Sequence, residues 1–203
     1  MRYVVFGSGG MAKEVIGYLE LDGHAIDYVV SPESFNNAAF DYDVDDEYWG
    51  GLAVLAVADP AVKRKIVAKY PDAQWDTYIH PSAFISSHSR IGRGCVIAPQ
   101  AIVYGDPVVE DFCFMSTNAT VGHDSRLGAY STLFPNTAVC GNCDIGEDCI
   151  LGIGAYVIPG VTLPAGTKVS AGAVVRESIE APSNIYGDPR GVYRVRPHKQ
   201  EAM

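Results

Sequence analysis

The chain has 203 residues, 15 Lys plus Arg against 24 Asp plus Glu, a formal net charge of −9, and 48% hydrophobic residues. That describes a packed globular chain of one large or two modest domains and excludes a disordered one. An acidic balance argues against a general binder of nucleic acid or anionic membrane. No apolar run approaches the length of a membrane span, and the N-terminal apolar stretch is too short for a signal peptide, so a cytoplasmic protein is expected.

Residues 2–6 read as a buried strand, Gly7-Ser8-Gly9-Gly10 as a tight turn, and Met11–Leu21 as a helix by its apolar spacing. Ala25–Val30 is a second strand and Leu52–Val57 a third. Pro60 suits the first position of a helix over Pro60–Tyr70, and Gln74–Ile79 leads onward. This βαβαβ order predicts a Rossmann-like α/β unit with a parallel sheet over residues 1–78. Residues 31–50 are polar and acidic and are expected to leave the sheet as a mobile excursion. Gly7, Ser8, Gly9, Gly10 and Met11 lie where strand meets helix, and exposed backbone N–H groups there can hold a phosphate or diphosphate. Ala12 replaces the last glycine of a GxGxxG pattern, so a tight turn without a ligand is the alternative.

From Ile79 the chain repeats. Stepping by six from Ile79 to Val175, all seventeen positions are Ile, Leu, Val or Met. The position four residues after each is nearly always small, and it takes Cys95, Cys113, Cys143 and Cys149, which therefore read as packing residues. With five cysteines and no CxxC, a disulfide framework is not expected. A period of six does not match a helix. It resembles the hexapeptide repeat of parallel β-helices, and the resemblance implies a β-solenoid with a C-terminal tail over residues 79–203, with three hexapeptides and about 18 residues per coil. In that register Gly105 and Gly141 stack on His123, about 4.8 Å away on either side. A histidine between two glycines has room for a reacting partner and suits proton transfer. Asp124 follows, stacked on Asp106 and Asn142, and can orient the imidazole. The alternative is an ordinary turn histidine.

Residues 1–160 hold 9 basic and 20 acidic groups, whereas 161–203 hold 6 basic (Lys168, Arg176, Arg190, Arg194, Arg196, Lys199) and 4 acidic. The tail is therefore either solvated or a cationic end facing a phosphate-bearing ligand.

The hexapeptide repeat resembles that of left-handed parallel β-helices. Five stretches sharpen the resemblance: Val5-Phe-Gly-Ser-Gly-Gly-Met-Ala-Lys-Glu-Val15, Ile79-His-Pro-Ser-Ala83, Val121-Gly-His-Asp124, Gly141-Asn-Cys-Asp-Ile-Gly146 and Tyr186-Gly-Asp-Pro189. Together they resemble the family of sialic-acid O-acetyltransferases and nucleotide-sugar N-acetyltransferases of bacterial glycan pathways, nearly end to end. The resemblance implies a nucleotide-sugar-binding domain over 1–78 and a left-handed β-helix acyltransferase domain over 79–203. It implies acetyl-CoA-dependent transfer to the amine of a nucleotide-linked amino sugar, with His123 as general base, Asp124 as its support and the Gly141 N–H on the thioester carbonyl. CoA is expected along Ile153, Gly154, Ala171 and Gly172 in a groove between subunits of a homotrimer, and the sugar nucleotide at Gly7–Met11 and Ser116. Relatives carry an asparagine where this chain has Ser116 and often a histidine where it has Thr132. They often end the second strand with paired aspartates, where this chain reads Asp27-Tyr-Val-Val-Ser31. Sugar O-acetylation on the same fold and a non-catalytic sugar-nucleotide-binding trimer are the alternatives. Some left-handed β-helices are zinc carbonic anhydrases, which need three converging histidines. His24, His80, His88, His123 and His198 do not supply the set, because the expected third ligand falls at Gly128, so no metal is expected.

Overall fold

The computed structural model describes residues 1–31, 44–45, 47–187 and 193–197. Most of the acidic stretch (32–43 and 46), the end of the Tyr186–Pro189 stretch, and Arg190, His198 and Lys199 of the tail lie outside the described residues.

The N-terminal unit follows the expected order. β1 (Arg2–Phe6) is buried from Tyr3 onward. The helix α1 (Gly10–Leu21) buries Ala12, Val15, Ile16 and Leu19, an i, i+3, i+4, i+7 stripe. β2 (Ala25–Val30) is followed by β3 (Val44–Asp45), which pairs with Val29 and Val30. The acidic stretch therefore returns to the sheet at its end, which corrects the expectation that all of it leaves. β4 (Leu52–Leu55) ends two residues earlier than expected. The Asp59 carboxylate then accepts from the N–H groups of Ala61 and Val62, starting α2 (Pro60–Lys69) one residue after the cap. β5 (Gln74–Trp75) completes a small parallel sheet of order β3-β2-β1-β4-β5.

Seventeen two-residue strands then run from Tyr78–Ile79 to Val174–Val175. Each pairs in parallel with the strand 18 residues away, as Phe84, Ile102 and Thr120 do. The result is a three-sided parallel β-solenoid of the kind expected. Its first face starts at Tyr78–Ile79, its second at Phe84–Ile85 and its third at Arg90–Ile91. Inward aliphatics from Ile97 to Val175 are buried, each worth about 1.5–3 kcal/mol. Ile79 is the correction: it stays 40% exposed, because the first coil has no coil beneath it. The cysteines at the small position are buried as expected, and burial pushes the Cys149 thiol up to about 12.

Backbone corners recur with the same period. Gln100, Phe112, Asn118, Asp124, Tyr130, Asn136, Asn142 and Asp148 all take positive φ. The series breaks once, at Asp106. Pro107 follows it, and a residue before proline is driven toward extended backbone. The left-handed residue moves one place earlier to Gly105 (φ 87°), directly below His123.

The N-terminal unit packs on the first face. Tyr78, Val96 and Phe114 of that face share a core with Tyr3, Val5, Val15 and Leu19. Phe112, at the edge between the third and first faces, packs with Val4, Phe6 and Trp75. The C-terminal strands Ser183–Gly187 and Tyr193–Pro197 extend the first face, so the tail returns to the solenoid where it is described.

Candidate active site

His123 and Asp124 occupy the edge between the second and third faces. The His123 Nδ1 lies 2.7 Å from Asp124 Oδ2, and both side chains are about half exposed. Asp124 is in the left-handed region (φ 56°), where its backbone N–H donates to the Asp106 carboxylate at 3.1 Å. The expected stack is present on both sides. A Cβ at Gly105 would lie 2.5 Å from His123 Cβ, and one at Gly141 would lie 2.3 Å from His123 Nε2. The two glycines make room for the imidazole itself, which lies over Gly141. With Nδ1 held by the carboxylate, Nε2 is left to exchange a proton with a ligand.

The Gly141 N–H has no acceptor among the described residues. Its peptide plane is held from the other side, where Ser125 Oγ donates to the Cys140 carbonyl at 2.8 Å and accepts from the Cys143 N–H at 3.0 Å. Such a fixed N–H, without an acceptor among the described residues, can meet a developing oxyanion without reorganising. Two side chains here escaped the sequence reading. Ser125 occupies a small-residue position of the repeat and reads there as packing. Tyr104 lies edge-on to the imidazole, with ring centroids 6.2 Å apart. The 18-residue register could have found it, because Tyr104 stacks on Gly122.

The glycine turn lies elsewhere. A Cβ at Gly7 (φ 122°) would lie 2.6 Å from the Ala56 carbonyl oxygen, so this glycine serves the turn. Gly9 and Gly10 have nothing within 4 Å of a built Cβ and face open space. Ser8, Gly9, Gly10 and Met11 line a cavity of about 380 Å³ together with Val57, Ser116, Phe134 and Pro135. The Gly9 cap makes no side-chain hydrogen bond and the first turn of α1 carries no acidic residue, so its N–H groups suit an anion. The fold thus brings the loop predicted at residues 7–11 to Ser116, about a hundred residues away. Thr132 belongs to the packing instead. It is fully buried, donating to the Ala58 carbonyl at 2.8 Å and accepting from Lys63 Nζ at 2.9 Å.

Ile153, Gly154, Ala171 and Gly172 form consecutive corners, tied by Gly172 N–H to the Ile153 carbonyl at 2.8 Å. Ile153 is exposed, and a Cβ at Gly154 or Gly172 would meet nothing within 4 Å. These corners lie between the first and second faces, on the edge that carries Ser116 and Pro135. The chain therefore brings the predicted CoA and sugar-nucleotide residues to one edge and His123, Asp124 and Gly141 to another. Among the described residues no group of three or more His, Cys, Asp or Glu could hold a metal ion, and no helix is long and apolar enough to cross a membrane.

No family model matches the chain. Solved structures do. PerB from Caulobacter crescentus, in complex with CoA and GDP-perosamine, is 31% identical, with a TM-score of 0.86 over 97% of each chain. Variants of the Caulobacter perosamine N-acetyltransferase with one histidine replaced by Asn or Ala superpose equally well. The acetyltransferase domain of PglB from Neisseria gonorrhoeae FA1090 is 26% identical, with a TM-score of 0.85 over 97% of this chain and 99% of that one. The same domain has also been solved with acetyl coenzyme A. Among curated proteins, GDP-perosamine N-acetyltransferase of Escherichia coli O157:H7 is 29% identical over 85 residues, 42% of this chain and 38% of that protein. The chain spans less than half the length of the curated relatives it matches.

Proposed function

The chain belongs to the hexapeptide-repeat family of sialic-acid O-acetyltransferases and nucleotide-sugar N-acetyltransferases, and from that premise we propose that it moves the acetyl group of acetyl-CoA onto the amine of a nucleotide-linked amino sugar. The observation that carries this reading is the His123–Asp124 pair with Nε2 presented over Gly141. His123 takes the proton of the attacking amine through Nε2, while Asp124 holds the tautomer and stabilises the imidazolium. The Gly141 N–H donates to the thioester carbonyl oxygen as negative charge develops there. Residues 1–78 hold the sugar nucleotide, with Gly7–Met11 around its phosphates and Ser116 near the sugar. Residues 79–203 carry the transfer, with CoA along Ile153, Gly154, Ala171 and Gly172.

A homotrimer reconciles the two edges. The outward residues of the second face are Phe84, Ile102, Thr120, Ala138, Tyr156 and Val174, with no charge among them, and Phe84 and Tyr156 are exposed. The third face instead carries Arg126 bound to Glu110 and Asp144. Packing three second faces around a threefold axis sets the His123 edge of one subunit against the Ser116 and Ile153 edge of the next. The reacting centre is then assembled from two subunits. Replacing Tyr156 with Glu is expected to lower the mass measured by light scattering and to abolish transfer. An active monomer would refute this arrangement.

The test of the reaction is CoA release from acetyl-CoA with a panel of nucleotide-linked sugars. GDP-linked amino sugars come first, since PerB binds GDP-perosamine. Acetylation of amino sugars and not of their hydroxyl counterparts is expected. Acetylation of hydroxyl sugars alone would reassign the acceptor, and sugar-nucleotide binding without CoA release would reject catalysis.

A further inference from the structure

We propose that the Tyr104 hydroxyl is a second hydrogen-bond donor to the acetyl carbonyl oxygen, acting beside the Gly141 N–H. The inference rests on the reading of the His123 edge as the transfer site, and it adds a catalytic residue to that site.

Tyr104 stands on the same edge as His123, one coil earlier, and its 18-residue neighbours are Ser86 and Gly122. Because Gly122 has no side chain, the phenol lies across it. A Cβ at Gly122 would lie 3.0 Å from Tyr104 Oη and 2.8 Å from the Gly141 nitrogen. The hydroxyl and the N–H therefore flank one point, within about 6 Å of each other, two hydrogen-bond lengths end to end. Gly141 also lies against His123 Nε2. Two donors and one base thus border the same small space. The Tyr104 ring meets the imidazole edge-on at an interplanar angle of 63°. Its hydroxyl has no hydrogen-bond partner among the described residues, and the residue is 38% exposed. The hydroxyl is therefore not engaged in holding the fold.

The chemistry needs such a donor. The lone pair of the sugar amine forms the new N–C bond, and the carbonyl π pair moves onto oxygen. His123 Nε2 takes the proton that the nitrogen loses. The oxygen pair then re-forms the carbonyl, the C–S bond breaks with its pair on sulfur, and the thiolate collects the proton from the imidazolium. Tyr104 keeps its own proton throughout and strengthens its hydrogen bond only while oxygen carries charge.

Tyr104→Phe removes the hydroxyl and keeps the ring against His123. The expected result is a kcat about a hundredfold lower, the usual cost of one oxyanion donor. KM for acetyl-CoA, the shape of the pH–rate profile and Tm should be unchanged. A wild-type kcat in Tyr104→Phe would overturn the inference. So would a loss confined to KM, or a loss seen with Tyr104→Leu but not with Phe, which would make the ring a mere prop for the imidazole. His123→Ala run alongside separates the two levels. An inactive His123→Ala with a fully active Tyr104→Phe removes Tyr104 alone, whereas a fully active His123→Ala removes the transfer site itself.

Discussion

Two edges of the solenoid share one backbone plan and put it to opposite uses. Between the third and first faces, the corners carry Phe112 and Tyr130, whose rings stack at 5.0 Å. Arg64 lies over Tyr130, with its guanidinium 4.2 Å from the ring centroid, and binds Glu147 and Asp148. Lys63 is buried there, donating to the carbonyls of Phe112, Tyr130 and Ser131 and to Thr132 Oγ1, and burial lowers its pKa to about 8. This edge is closed by packing and holds the N-terminal unit on. Between the second and third faces, the same corners carry Gly105, His123 and Gly141, and the edge stays open. The difference teaches that the repeat is indifferent to chemistry. A site arises where side chains are withheld above and below one titratable group, and a joint arises where they are supplied.

The largest effect expected from the open edge is on rate. His123→Ala should lower kcat by about a hundredfold or more while leaving Tm nearly unchanged, because the ring is half exposed. A wild-type rate in that variant would end the general-base reading. The closed edge should respond in stability. Lys63→Ala leaves the Phe112 and Tyr130 carbonyls without their donor and should cost about 1–3 kcal/mol, read as a lower urea midpoint. The pH dependence sharpens this. With its folded pKa near 8 against 10.5, Lys63 is neutral in the folded chain and protonated in the unfolded one between those values. The unfolded state then binds more protons, so wild type should gain stability relative to Lys63→Ala as pH rises from 8 to 10.5. The buried Cys149 thiol acts in the opposite sense, but it is present in both proteins and Lys63 is not among the groups that shift it, so it cancels. A wild-type–variant difference that is flat over the window would show that Lys63 is not held as described.

Two smaller effects divide the open edge from the glycine turn. Asp124→Asn should reduce kcat by less than His123→Ala, since Asp124 orients the base and does not carry the proton. Equal losses in steady-state kinetics would give Asp124 the larger role. Gly9→Leu puts a side chain into open space at the cavity mouth. KM for the sugar nucleotide should rise and that for acetyl-CoA should not. If both rise together, the two ligands do not occupy separate sites.

Much of the solenoid was legible because its period is local. Seventeen aliphatics at a spacing of six leave one solution, and the small position explains the buried cysteines without chemistry. The same arithmetic set Gly105 and Gly141 around His123. Legibility failed where the repeat meets something else. Ile79 satisfies the pattern yet stays exposed, since burial needs a coil on both sides. Thr132 looked like a substituted site residue, but α2 covers it through Lys63. Ser125 and Tyr104 looked like ordinary repeat residues because their roles depend on which backbone groups they reach one coil away.

The sequence by itself determined the solenoid, its corners and the stacking of glycine on histidine, because all three follow from spacing along one chain. Only the tertiary structure decided which face the N-terminal unit covers. That choice rests on Tyr78, Val96 and Phe114 meeting α1 and β1, and on Lys63 reaching carbonyls more than forty residues ahead. Such packing joins surfaces with no fixed sequence separation, so no periodicity announces it. It also separated the glycine turn from His123, setting them on different edges of the same chain.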